Sequence, residues 1–95
     1  MAEALKLGTE WTIPHAAQLH EQLLTALIAG AETAEAPVLD LGGVESMDSS
    51  GVQLLLALRR SLQERGQELQ IVAASSAARA AMDTYHLRAL LMPEA

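Results

Sequence analysis

The sequence predicts a small α/β domain, and three observations carry that prediction. Short apolar or alternating runs at 4–12, 38–41 and 68–74 read as strands. Segments with apolar residues at three-four spacing, at about 14–29, 49–65 and 77–86, read as helices. The two kinds alternate along the chain, so successive parallel strands are joined through helices by right-handed crossovers. With few strands, the helices gather mainly on one face of the sheet, and the N-terminal segment partly covers the other. Ninety-five residues form one domain over 1–95.

In order, Leu5 and Leu7 alternate with Lys6, Gly8 supplies a turn or bulge, and Trp11 and Ile13 alternate again. This is one bent strand or a small hairpin. Pro14 suits a first helical turn, with Thr12 as its N-cap. Ala16, Leu19, Leu23, Leu24, Leu27 and Ile28 form the apolar stripe of the first helix, and Gly30 is its expected stop. An acidic linker over 31–37 closes at Pro37. Val38-Leu39-Asp40-Leu41 is the second strand signal.

The second helix is expected from Ser49 or Ser50 to Arg65, with Gly66 ending it. Leu55, Leu58 and Leu62 share a face with Gly51, while Val52, Leu54 and Leu56 widen the apolar surface around the helix. Such a helix is packed between other elements, or part of its surface meets a partner. After the strand around Leu69, Ile71 and Val72, Ser75 or Ser76 caps a third helix whose apolar side is Ala78, Ala81, Met82 and Tyr85. Residues 87–92 form a last turn or short edge strand, ended by Pro93.

Composition removes several function classes. Without cysteine there is no disulfide framework and no thiolate metal site. At 51% hydrophobic with no Phe, one Trp and one Tyr, the core is aliphatic. A net charge of −6 argues against nucleic acid and against an anionic membrane surface. No run is long enough to span a bilayer and no basic-then-apolar leader opens the chain, so the expectation is cytoplasmic, without direct membrane insertion. His15 and His20, five apart, do not share a helix face, and no metal site is expected. Paired hydrolytic carboxylates, a nucleophile elbow, a Walker loop and a dinucleotide loop are all missing, so the expectation is a protein that is not an enzyme.

The stretch that organises the chain is Val38-Leu39-Asp40-Leu41-Gly42-Gly43-Val44-Glu45-Ser46-Met47-Asp48-Ser49-Ser50-Gly51, running into Val52-Gln53-Leu54-Leu55-Leu56. A buried strand and a Gly-Gly turn lead to Asp-Ser-Ser-Gly where a helix begins. The first helical turn has four backbone N–H groups without intrahelical partners and the positive end of the macrodipole. A serine there is either a plain cap or a place where a phosphate is tolerated. Asp48 is a cap, a loop anchor or a partner contact, and the structural roles are favoured. For Ser50 the cap is favoured, and Gly51 permits close backbone approach.

On Leu39-Asp40-Leu41, Met47-Asp48-Ser49-Ser50-Gly51, the Leu-rich helix, Gly66, Leu69-Gln70-Ile71-Val72 and Ser76-Ala77-Ala78-Arg79-Ala80-Ala81-Met82-Asp83, the chain resembles the STAS family. That family includes bacterial anti-sigma factor antagonists and the cytoplasmic tails of sulfate transporters. The resemblance implies a small mixed β-sheet of about four strands with helices mainly on one face, and no cofactor. It implies a regulatory protein-binding module in which Ser49 is phosphorylated by a partner kinase that is also an anti-sigma factor. Asp48, Ser50, Gly51, Val52 and Leu56 are then expected to form the loop and partner surface. Thr12 stands about where the antagonists carry an Asp, and His86 where the third helix often ends with Gly. The runs 11–19 and 51–56 look closer to STAS proteins encoded with chemotaxis genes, and somewhat like the STAS subunit of lipid-asymmetry ABC transport systems. The expected partner is accordingly a serine kinase or chemotaxis protein, or alternatively an ABC transporter ATPase with no phosphorylation involved.

Overall fold

A computed structural model describes residues 4–33 and 36–92, and the side chains of 31–33 are not described. The expectations at Pro93 and in part of the acidic linker therefore lie outside the described residues. The strands are β1 (Ala4–Leu5), β2 (Glu10–Trp11), β3 (Val38–Leu41), β4 (Ser46–Met47) and β5 (Gln70–Ala74). The helices are α1 (Ala16–Thr33), preceded by a 3-10 turn at Ile13–His15, then α2 (Ser49–Glu64), α3 (Ser76–Thr84) and α4 (Arg88–Leu91).

The α/β class holds, with one more strand than about four and with every described pairing parallel. One sheet has the order β1-β3-β5, and β2 pairs with β4 in a second. The N-terminal segment thus lies within the sheets rather than across a face. Gly8, at φ +88, bends the chain between β1 and β2. Both pieces run parallel to the β3–β4 segment, which is the bent strand and not the hairpin. The Thr9 carbonyl bridges the gap by accepting from Glu45 N–H at 2.7 Å and Ser46 N–H at 3.3 Å.

Leu39 and Leu41 are buried and alternate with half-buried Val38 and Asp40, so β3 turns one face to the helices. Asp40 Oδ1 accepts from Gly42 N–H at 2.8 Å, which fixes the turn after the strand. Val72 has no partner in the β3–β5 register: Leu39 opposes Ile71 and Asp40 opposes Ala73. It bulges outward and is 54% exposed.

The core is built around α2. Leu55, Leu58 and Leu62 are buried with Gly51 and Val52, and each leucine contributes roughly 1.5–3 kcal/mol by leaving water. Leu19, Leu23 and Leu27 of α1 and Ala78 and Met82 of α3 complete the cluster with Trp11, Leu39, Leu41, Val44 and Leu91. The wide apolar surface of α2 is explained by its contacts with α1, α3 and α4 together. A shallow groove remains between α1 and α2, where Leu54 and Ala57 face His20 and Leu24. Tyr85 is 47% exposed and serves as the C-cap of α3, rather than joining its apolar side.

The helix ends follow local chemistry. Gly66 N–H bonds the Gln63 carbonyl at 3.0 Å and Gln67 N–H the Leu62 carbonyl at 2.9 Å, with Gly66 left-handed at φ +74. The same pair of bonds closes α3, from His86 to Asp83 at 3.0 Å and Leu87 to Met82 at 2.8 Å, with His86 at φ +56. Ser75 is the cap of α3, its Oγ accepting from Ala78 N–H at 3.1 Å. Gly30 does not stop α1, which continues to Thr33.

Candidate functional site

The site forms where the paired β2 and β4 strands run out and α2 begins. Asp48 N–H donates to the Trp11 carbonyl at 3.1 Å, carrying the strand pairing one residue further. The chain then turns into α2 with Asp48 in an extended conformation as its N-cap. The cap is therefore Asp48, neither Ser49 nor Ser50. One carboxylate makes two ties: Oδ1 accepts from Ser50 N–H at 2.8 Å, and Oδ2 accepts from Ile13 N–H at 3.0 Å.

Partial burial opposes charge on Asp48. Hydrogen bonds from the backbone N–H groups of Ile13, Ser50 and Gly51 and from the Ser50 hydroxyl outweigh it, holding the carboxyl below its ordinary 3.8. Asp48 is thus an anion at neutral pH, fixed in place by donors from two separate segments.

Ser49 is the first residue of α2 and is exposed. Among the described residues its hydroxyl has no hydrogen-bond partner, because Asp48 has taken the capping role. Ser50 is half-buried, and its backbone N–H is held by Asp48 Oδ1 at 2.8 Å. The two adjacent serines are therefore distinct: one exposed at the surface, one half-buried and tied to the cap through its backbone.

Gly51 is buried against the strand below. A Cβ there would sit 2.6 Å from the Trp11 carbonyl oxygen and 2.8 Å from both Trp11 Cβ and Met47 Cγ. Glycine is needed for space, since only a bare backbone brings the first turn of α2 onto β2. Val52 is 2% exposed and faces the interior, so it supports the site from within. Leu56 is half-buried and packs against the core cluster, leaving only part of its side chain for another protein.

The residue that period-two alternation misplaces is Ile13. Paired with Trp11 as a strand residue it would point inward, yet the strand ends at Trp11 and Ile13 opens the 3-10 turn, 69% exposed. The Thr12 cap and Pro14 were the available signal: a residue between them belongs to a first helical turn. Thr12 is the cap by backbone position, but its hydroxyl makes no capping bond and lies 3.3 Å from His15 Nδ1. Among the described residues no group of three His, Asp or Glu side chains could hold a metal ion. No helix among them is long and apolar enough to cross a membrane.

A protein-family model described as "Mlab, STAS domain" matches residues 2–93. Comparison with curated proteins and with solved structures returned no match. With the family model spanning essentially the whole chain, and the Asp48–Gly51 turn seated between a strand and a Leu-rich helix, the protein belongs to the STAS domain family.

Proposed function

We propose that this STAS domain, like the family in general a regulatory protein-binding module, is switched by phosphorylation of Ser49. The observation that carries this reading is the unengaged, exposed hydroxyl of Ser49 on the first residue of α2. In the reaction, Ser49 Oγ forms a bond to the γ-phosphorus of ATP, the γ-phosphoanhydride breaks, ADP leaves, and the hydroxyl proton passes to a base on the kinase. The product carries about −1.5 to −2 charges and has solvent around it. The fold has no reason to reject it, because no core contact is made by Ser49. A partner docked over the same spot does reject it, since an unpaired charge buried at an interface costs several kcal/mol. Neither cofactor nor catalysis by this chain enters the scheme.

A second reading is favoured by the name of the matching family model, Mlab. In it the domain is a constitutive subunit, clasping the ATPase of an ABC transport complex without modification.

Ser49 substitutions separate the two. Under the first reading Ser49→Asp folds with an unchanged melting curve but loses its partner in co-purification, and Ser49→Ala retains it. Incubation with the partner kinase and ATP adds the mass of one phosphoryl group to wild type and none to Ser49→Ala. Equal partner capture by both variants, with no mass change in wild type, would leave only the constitutive reading.

A further inference from the structure

We propose that Asp48 couples Ser49 to the turn at Ile13–Pro14, so that a phosphate on Ser49 releases that turn from the surface on which a partner docks. The proposal rests on the reading of Ser49 as the modified residue and adds the route by which its state reaches a second segment of chain.

The geometry is a single carboxylate shared by two segments 35 residues apart. Oδ1 holds the first turn of α2 through Ser50 N–H at 2.8 Å, and Oδ2 holds the other segment through Ile13 N–H at 3.0 Å. Ile13 is 69% exposed, its side chain spends no packing on the core, and exposed Pro14 follows. An isoleucine presented to solvent by a charge-assisted bond to the residue next to Ser49 is an apolar contact adjoining the switch residue. Because Ile13 N–H and Ser50 N–H meet on one carboxylate, the kinase that reaches the Ser49 hydroxyl meets Ile13 as well, and that kinase is the occupant.

Phosphorylation acts on the shared carboxylate in two ways. A phosphate on Ser49 competes for the Ser50 N–H, because a dianion at the start of a helix is the stronger acceptor. It also places like charge beside Asp48, which disfavours the present position of that carboxylate. Both effects draw Asp48 away from Ile13 N–H. What then holds the turn lies within it or beside it: His15 N–H to the Thr12 carbonyl at 2.9 Å, the Thr12 hydroxyl 3.3 Å from His15 Nδ1, and Glu10 Oε2 3.8 Å from His15 Nε2.

The test uses the full chain, labelled with nitrogen-15, in three forms: unmodified, with phosphoserine incorporated at position 49, and Asp48→Asn. Asparagine still caps a helix through one oxygen but offers no second acceptor to Ile13. In the unmodified protein the Ile13 amide proton signal moves as acid titrates the Asp48 carboxyl. In the other two forms that movement is absent, and Ile13 N–H exchanges with water on the order of tenfold faster. A merely structural cap would not produce this response in the phosphoserine form, whose Asp48 is intact. An Ile13 signal that titrates and exchanges identically with and without the phosphate would overturn the coupling. The kinase reaction on Ser49 is scored separately by mass, so the coupling can fail while the switch stands. Ile13→Ser completes the test: because the side chain is exposed the fold is kept, and capture of the partner by the unmodified form falls. Undiminished capture removes Ile13 from the docking surface.

Discussion

Gly51 shows how much of the site is decided by space at a single residue. Its backbone lies so close to β2 that an added methyl group would enter the Trp11 carbonyl oxygen at 2.6 Å, and that oxygen already accepts the Asp48 N–H. The group in the way is backbone, which no rotamer change can move. Gly51→Ala should therefore push α2 off β2 and weaken the strand-end bond at once. Overpacking costs about 1–3 kcal/mol, and the better helix propensity of alanine recovers only part of it. The expected loss is about 2 kcal/mol, read as a melting temperature roughly 10 °C lower for a domain of this size. Ser49→Ala, two residues earlier and on the surface, should leave the melting curve unchanged. That contrast separates the residue that builds the site from the residue that is acted on.

Among the elements, α3 ends in a way that its own sequence disfavours. Its closing bonds match those after Gly66 at the end of α2, but the left-handed position is occupied by His86 at φ +56. A side chain there is strained, and glycine removes the strain while raising the entropy of the unfolded chain. His86→Gly should be stabilising by about 0.5–1 kcal/mol, a rise of roughly 3–6 °C by calorimetry. The departure at His86 showed only against the family resemblance, whereas the α/β order, the helix over 49–65 and its stop at Gly66 were legible in the sequence, because each rests on local chemistry. What could not be read there depends on competition between segments. Gly30 resembles a stop, yet Ala31 and Glu32 carry α1 onward, and Arg65 reaches back from the end of α2 to the Leu27 carbonyl at 2.7 Å. Residues 4–12 read equally as a bent strand or a hairpin, and only pairing with β3 and β4 decides. The choice among Asp48, Ser49 and Ser50 as the cap likewise turned on a distant donor, Ile13 N–H, which aligns the aspartate.

At the scale of the whole molecule, a net charge of −6 places acidic groups over the surface of a domain whose buried residues are all apolar or glycine and proline, among those described. Acidification first relieves repulsion between these carboxylates, which favours the compact state. It acts later on Asp48, whose folded carboxyl lies below its ordinary value. A group with its proton affinity lowered by folding contributes its full stabilisation above the unfolded value near 3.9, and loses it as pH falls through the folded value. The domain should therefore keep its helical signal through the pH at which its net charge vanishes, even where loss of charge brings it out of solution. Unfolding should set in below about pH 4. Asp48→Asn isolates the contribution, since asparagine caps α2 but does not titrate. Thermal melts followed by circular dichroism from pH 7 to pH 3 should show wild type more stable than the variant at neutral pH, with the gap closing only below about pH 4. A gap that closed between pH 7 and 5 would mean that another group, and not the carboxylate joining Ile13 to α2, governs how the site responds to acid.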